Sequence, residues 1–328
     1  FKPYFIIIKS LLYYLFDSLA LCKTPSSQKN RLDVVLLIRQ DAIGDFVMWL
    51  DTAKEYRKLY PPEKYKIVIV GNKIWCDLAE ELPYWDKVIP VDVKQFKAFS
   101  SYRWKLLRQI RNLKANVAIQ PTFSREFYNG DSLIRASQSS RKVSSAGDMA
   151  NRNWLKQFLA DRWHTELIPA SEEPVSELER NTEFFSFFSR KTYHCEYPKL
   201  SLPMTMLPQN PGVGFFYVLV PGASANLRKW PPEFFAKLAE KIFQHTSWHG
   251  IICGTQQEHI LSENILKHCN APLKNISGQT SLPELARLLS QCQFTISNET
   301  GTAHISAAVE TQTICILGGG HFGRFFPY

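Results

Sequence analysis

The stretch Val34-Val35-Leu36-Leu37-Ile38-Arg39-Gln40-Asp41-Ala42-Ile43-Gly44-Asp45 decides the fold. Its apolar run reads as a strand buried on both faces, the glycine turn as the strand's end, and the amphipathic residues after it as a helix. That sequence of elements puts a carboxylate at the carboxyl end of a sheet, where open α/β folds bind ligands. Asp45 is therefore a candidate general base. Asp also favours N-caps and first helical turns, so capping is the plain alternative, and the two roles are compatible.

Outward from this stretch, short apolar runs alternate with helical patterns. In the first half the expected strands are 33–38, 66–70, 87–90 and 116–119, with helices over 45–59, 74–81 and 102–113. The second half repeats the plan, with strands at 216–220, 250–253, 294–297 and 313–317 and helices over 232–244, 257–268, 282–291 and 301–309. The repeat predicts an α/β protein of two Rossmann-like domains, each built on a parallel sheet. Residues 32–166 form the first domain and 213–328 the second. Residues 167–212, rich in proline, read as their connection with a helix inside it, and 1–31 as an N-terminal apolar, amphipathic segment.

With 328 residues, 45% hydrophobic and 21% charged, the chain can bury two cores and is not disordered. Its net charge of +9 is spread along the sequence, which suits an anionic substrate or an acidic membrane surface. No aromatic-basic motif of a nucleic-acid-binding sheet occurs, so no nucleic-acid partner is expected. Seven cysteines without a CxxC pair read as reduced thiols in a cytoplasmic protein. Residues 1–21 are apolar but carry Lys2, Lys9 and Asp17, so they lack the uninterrupted span of a transmembrane helix. They read as an interfacial helix on a membrane or as a helix docked on the protein.

Three loops after second-half strands carry chemistry. Pro221-Gly222-Ala223-Ser224 leads to Arg228 and Lys229 ahead of a helix, a pattern in which amides, a hydroxyl and a cation hold a phosphate. Asn298-Glu299-Thr300-Gly301-Thr302-Ala303-His304 opens another helix; Thr300, Gly301 and Thr302 offer amides and hydroxyls to an anion, flanked by Glu299 and His304. Glu258, after Gly254-Thr255, can hold a ribose diol or simply be a first-turn acid. Each loop also has a bland reading, but together they favour a nucleotide. No GxGxxG follows a strand and no GxxxxGK[ST] occurs, which disfavours dinucleotide oxidoreductases and P-loop enzymes.

As a set, from about Leu32 to Tyr328, these loops resemble glycosyltransferase family 9, the heptosyltransferase-like inverting enzymes. The resemblance rests on Asp41-Ala42-Ile43-Gly44-Asp45, Pro221-Gly222-Ala223-Ser224 with Arg228-Lys229-Trp230-Pro231, Thr280-Ser281-Leu282 with Glu284-Leu285-Ala286, and Asn298-Glu299-Thr300-Gly301 with His304. It implies a GT-B fold, two facing Rossmann-like domains with a cleft, and metal-independent transfer of a sugar, a heptose from an ADP-linked donor, to a lipopolysaccharide-type or lipid-linked acceptor. No cofactor besides the nucleotide sugar is implied. Asp45 would be the base. Ser224, Arg228 or Lys229 would hold the diphosphate, Glu258 the ribose and Thr280 the edge of the base. Thr300 and Gly301 would bind phosphate, with Glu299 and His304 near the sugar.

Arg39, Gln120 and Arg125, at or just past strand ends, are the acceptor candidates. Localisation would be peripheral, on the inner face of the cytoplasmic membrane. Glu299 stands where the family has Asp, and the family continues into a carboxyl-terminal helix where this sequence stops at Pro327-Tyr328, so a fragment or a different closing element is expected. Rival readings are a nucleotide-sugar epimerase or hydrolase, which needs no acceptor, and a membrane-tethered nucleotide-sugar binder without turnover.

Overall fold

The computed structural model describes residues 2–22, 32–203, 214–320 and 322–326. The first sheet contains β1 (Asp33–Arg39), β2 (Tyr65–Asn72), β3 (Lys87–Val91), β4 (Val117–Gln120), β5 (Arg141–Ser145) and β6 (Glu166–Ile168) in the order β3-β2-β1-β4-β5-β6, all parallel. β1 is buried from Val34 to Arg39, with Leu36 level with Val68 on one side and Ala118 on the other. A continuous apolar strand belongs at such a centre, because helices cover both faces of a parallel sheet. Strand order reverses at β1, so the crevice beyond the β1 and β4 ends is the expected ligand position.

The second sheet, β7 (Phe216–Val220), β8 (His249–Ile252), β9 (Leu273–Asn275), β10 (Thr295–Asn298) and β11 (Thr313–Ile316), is also parallel, in the order β11-β10-β7-β8-β9. Its reversal lies at β7, between β8 and β10. The loops after β7 and β10 are the two that the sequence marked for phosphate.

The helices are α1 (Lys2–Ala20), α2 (Ile43–Leu59), α3 (Cys76–Glu80), α4 (Ser101–Asn112), α5 (Ser132–Ser137), α6 (Trp154–Asp161), α7 (Glu177–Ser189), α8 (Pro232–Thr246), α9 (His259–Lys267), α10 (Leu282–Leu289) and α11 (Gly301–Ala308). Local chemistry sets their starts: Ser176 with Glu179 and Ser281 with Glu284 form capping boxes, and Pro232 occupies the first turn of α8.

β5, β6, β9, α5 and α6 are additions to the sequence reading. β5 is Arg-Lys-Val-Ser-Ser, with one apolar residue, and β6 and β9 have three residues each, too short to show a period. The chain divides into a unit of residues 1–42 and 52–195 and a unit of residues 43–51 and 196–328. The expected connection 167–212 is corrected accordingly: β6 pairs with β5 and α7 lies in the first unit, because Arg39 on β1 binds its Glu177 and Asn181. Residues 204–212 of that stretch lie outside the described residues, as do 1 and 23–31 of the amino-terminal segment.

α1 is docked on the first unit. Buried Asp17 receives Arg103 Nε at 2.7 Å and Nη2 at 2.6 Å, and Ser10 meets the Tyr128 hydroxyl at 3.0 Å. No helix among the described residues is long and apolar enough to cross a membrane.

Candidate functional site

Asp45 is the third residue of α2. The N-cap is Ala42, which has no side chain able to cap, so Asp45 is a first-turn acid and not the N-cap. Ile43–Asp51 belongs to the same unit as the second sheet. There the start of α2 packs against α11: a Cβ on Gly44 would come 2.8 Å from His304 Cδ2, and one on Gly301 would come 2.7 Å from Ile43 Cβ. Two glycines thus let the first turns of α2 and α11 touch, which places Asp45 beside a helix N-terminus.

That N-terminus suits an anion. Thr300 is the N-cap of α11 and makes no side-chain cap; its hydroxyl lies 3.2 Å from Ser297 Oγ. The amides of the first turn therefore receive no capping side chain and, with the helix dipole, favour negative charge. On the neighbouring β7 loop, Arg228 Nη2 donates to Ser224 Oγ at 2.5 Å, and both side chains are exposed or half-exposed. Lys229 Nζ instead turns back to Asn226 Oδ1 at 3.1 Å, leaving Arg228 as the better placed cation.

Asn298, at the end of β10, ties these loops together. Fully buried, it donates from Nδ2 to the Pro221 carbonyl at 2.8 Å and accepts from Trp230 N at 3.1 Å. The sequence placed Asn298 in its motif without a role; β10, Thr-Ile-Ser-Asn, is polar at three of four positions, so nothing local singled Asn298 out.

Glu258 closes a capping box, its Oε2 accepting from Thr255 N at 2.7 Å and Thr255 Oγ1 at 2.9 Å. The carboxylate also lies directly over Gly222, where any Cβ would overlap it, so Glu258 faces the β7 loop while capping its own turn. Thr280 is half-buried just before Ser281, the N-cap of α10. Glu299 is 7% exposed and its Oε2 accepts from Gly318 N at 3.3 Å. His304 is buried and stacks on Phe326 at 4.1 Å; burial holds its imidazole neutral, with a pKa down at about 3. His321, in the glycine-rich loop, lies outside the described residues.

In the first unit the acceptor candidates are internal. Arg39 is fully buried, with Nε 2.9 Å from Asp41 Oδ2, Nη1 donating to Asn181 Oδ1 at 2.8 Å and Nη2 to Glu177 Oε1 at 3.2 Å. Gln120 is buried and accepts from Ser144 Oγ at 3.4 Å. Arg125 is buried between Asp131, Asp161 and His164. Burial and the Arg125 charge push His164 down to about 3, so its Nε2 accepts from Arg125 at 3.1 Å. A place at a strand end says nothing about side-chain direction, and here all three point inward. Asp41 is the more accessible group at this switch point: its Oδ2 accepts from Thr122 Oγ1 at 3.1 Å, joining the β1 and β4 loops.

Residues 191–328 match the model of glycosyltransferase family 9 (heptosyltransferase). The chain is 29% identical over 307 residues to lipooligosaccharide heptosyltransferase 2 of Haemophilus influenzae, covering 87% of this chain and 83% of that one. Among solved structures, a family 9 glycosyl transferase from Veillonella parvula superposes with a TM-score of 0.74 at 14% identity, over 92% of this chain and 86% of that one. The Escherichia coli heptosyltransferase WaaC with ADP-2-deoxy-2-fluoro heptose gives a TM-score of 0.66 at 17% identity, over 86% and 88%. At those identities the likeness establishes the fold, that of the GT-B glycosyltransferases.

Proposed function

The chain is a glycosyltransferase of family 9, and from that premise we propose that it moves a heptose from an ADP-heptose donor to a lipopolysaccharide or lipooligosaccharide acceptor, with Asp45 as the base. The observation that supports this reading is the packing of Gly44 on His304 and of Gly301 on Ile43, which sets the first turn of α2, the turn that carries Asp45, against the first turn of α11, whose N-cap Thr300 makes no side-chain cap.

In the proposed reaction Asp45 accepts the proton of an acceptor hydroxyl as that oxygen attacks the anomeric carbon. The new C–O bond forms as the bond to the β-phosphate oxygen breaks on the opposite face, so configuration inverts. The electron pair leaves with ADP. Its growing charge is met by the α11 first-turn amides of Gly301 and Thr302, by Arg228 and by the Ser224 hydroxyl, groups fixed before the reaction begins. Glu258 faces the ribose, and Thr280 the base. Glu299, longer than the family's Asp, holds Gly318 and so shapes the donor-sugar side. Arg39 acts through Asp41 and does not touch the acceptor.

The proposed lipid-anchored acceptor and the free cysteines support work at the cytoplasmic face of a membrane, with the protein peripheral to it. The relative and the structures reported above are transferases, which leaves the epimerase, hydrolase and binder readings without a supporting observation.

The test is transfer from ADP-heptose to a heptose-deficient acceptor by wild type and Asp45→Asn. Loss of about a hundredfold or more in kcat, with the melting temperature kept, is expected for removal of a general base. Near-normal turnover in folded Asp45→Asn would sink the assignment. A flat melting temperature with every ADP-, GDP-, UDP- and dTDP-sugar tried would sink the donor reading.

A further inference from the structure

α1 is amphipathic the wrong way round for a surface helix. A helix on a globular protein ordinarily turns its apolar stripe inward and its polar residues to water. In α1 the inward positions include Ser10 and Asp17, 0% and 1% exposed, held by Tyr128 and Arg103. The outward positions Ile8, Leu11, Leu12, Leu15 and Leu19 are 56%, 45%, 42%, 57% and 62% exposed. Their spacing of three and four residues makes one stripe along the helix. A buried ion pair and a second anchor, Arg135 donating to Tyr14 O at 3.1 Å and to Ser18 Oγ, fix the stripe facing away from the unit.

The surroundings of the stripe are basic and aromatic. Phe16 on α1 meets the exposed Phe99 at 5.2 Å and Trp104 at 5.5 Å. Trp104 lines a surface cavity of about 520 Å³ on α4 together with Lys105 and Arg108. Residues 94–114, which include α4, carry seven Lys and Arg and no Asp or Glu. On the other side of α1, Lys9 and Lys156 both stand over the Tyr128 ring, at 5.1 and 4.6 Å. An apolar stripe flanked by cations and aromatic rings is complementary to the edge of a bilayer with anionic headgroups.

We infer that the outer face of α1, with the Lys105–Arg108 cavity beside it, is the surface by which this protein lies on an anionic phospholipid membrane. The helix stays docked and in plane; its leucines enter the boundary of the acyl chains while Lys105 and Arg108 meet lipid phosphate. The charge complementarity favours this occupant over a second copy of the chain, whose equally basic face would repel it. The surface serves the transferase reading, but vesicle binding is measured without turnover, so each can fail alone.

The test is cosedimentation of the full chain with vesicles of phosphatidylethanolamine and phosphatidylglycerol, against vesicles of phosphatidylcholine alone. Wild type is expected to bind the anionic vesicles at least tenfold more tightly and to release them as salt is raised. Leu11→Glu with Leu15→Glu should cut that binding at least tenfold. Lys105→Glu with Arg108→Glu should do the same at unchanged melting temperature, since both positions lie at the surface. No binding by wild type, or binding indifferent to both pairs, overturns the inference. So does a concentration-dependent dimer, abolished by Leu11→Glu with Leu15→Glu, in a protein that ignores vesicles.

Discussion

Gly44→Ala tests the packing on which the site rests. No left-handed backbone requires a glycine there, so helix propensity alone would make the alanine more stable by up to about 1 kcal/mol. Sterics oppose it: the new Cβ would stand 2.8 Å from His304 Cδ2 and 3.2 Å from Nε2, about 0.6 Å inside ordinary contact at the nearer atom. The ring has little room to yield, being 4% exposed and stacked on Phe326 at 4.1 Å. Overpacking of this kind costs about 1–3 kcal/mol, so net destabilisation should stay near 2 kcal/mol or below. The displacement passes instead to the first turn of α2, which carries Asp45. Misplacing a reacting group by about 1 Å costs roughly a hundredfold, so a shift of about 0.6 Å should cost kcat about tenfold. Initial rates of heptose transfer and a melting curve measure both effects. Gly320→Ala, whose Cβ would meet nothing within 4 Å, serves as control and should stay within about twofold of wild type. If Gly44→Ala also stays within twofold, the contact with His304 does not position the base and the argument fails.

Gly222→Ala should push the Glu258 carboxylate off Thr255 and out of the phosphate loop, weakening the thermal-shift response to ADP-sugars by at least about tenfold; an unchanged response removes Glu258 from the donor site. Asn298→Ala strands a buried carbonyl and a buried amide, each worth about 1–3 kcal/mol, so its melting temperature should fall by several degrees and donor affinity with it; a wild-type melting curve would refute that role. His164 and His304 have folded pKa values near 3 against 6.5 unfolded, so the unfolded chain binds more protons between those limits and stability rises with pH there. From pH 7.5 to 5.5 each should cost about 1.4 kcal/mol, and His164→Gln should remove roughly half of their joint slope; a slope unchanged in that variant contradicts a buried neutral His164.

What the sequence revealed, and what it concealed, follows from which forces act locally. β1 and β7 announce themselves because a central parallel strand must be apolar on both faces. β5 hides because Ser144 and Ser145 are buried by its neighbours β4 and β6, a tertiary fact its five residues do not encode. The positions of the loops after β7 and β10, at strand ends and just before helix starts, were legible because glycines, hydroxyls and a first-turn proline mark such junctions in the sequence. Side-chain direction is not marked in this way. His304 next to a Thr-Gly-Thr reads as a flanking polar group or as a capping or core histidine, and the structure shows it buried against Gly44.

The buried polar residues at the strand ends share a cause. At a switch point the loops leaving adjacent strands run to opposite faces of the sheet, so backbone groups there lose their ladder partners and need polar side chains. In the second sheet Asn298 supplies them, binding Pro221 and Trp230; in the first, Asp41 joins Thr122 and is itself held by Arg39. The crevice that needs this internal pinning is also the one where open α/β folds bind ligands. Residues that build the crevice therefore carry the same chemistry, at the same strand ends, as residues that use it. Burial separates the two sets. Arg39, Gln120, Arg125 and Asn298 are 0–2% exposed and brace the framework, whereas Ser224 on the β7 loop is exposed and Arg228 and Asp45 are half-buried, as the proposed donor and base roles require.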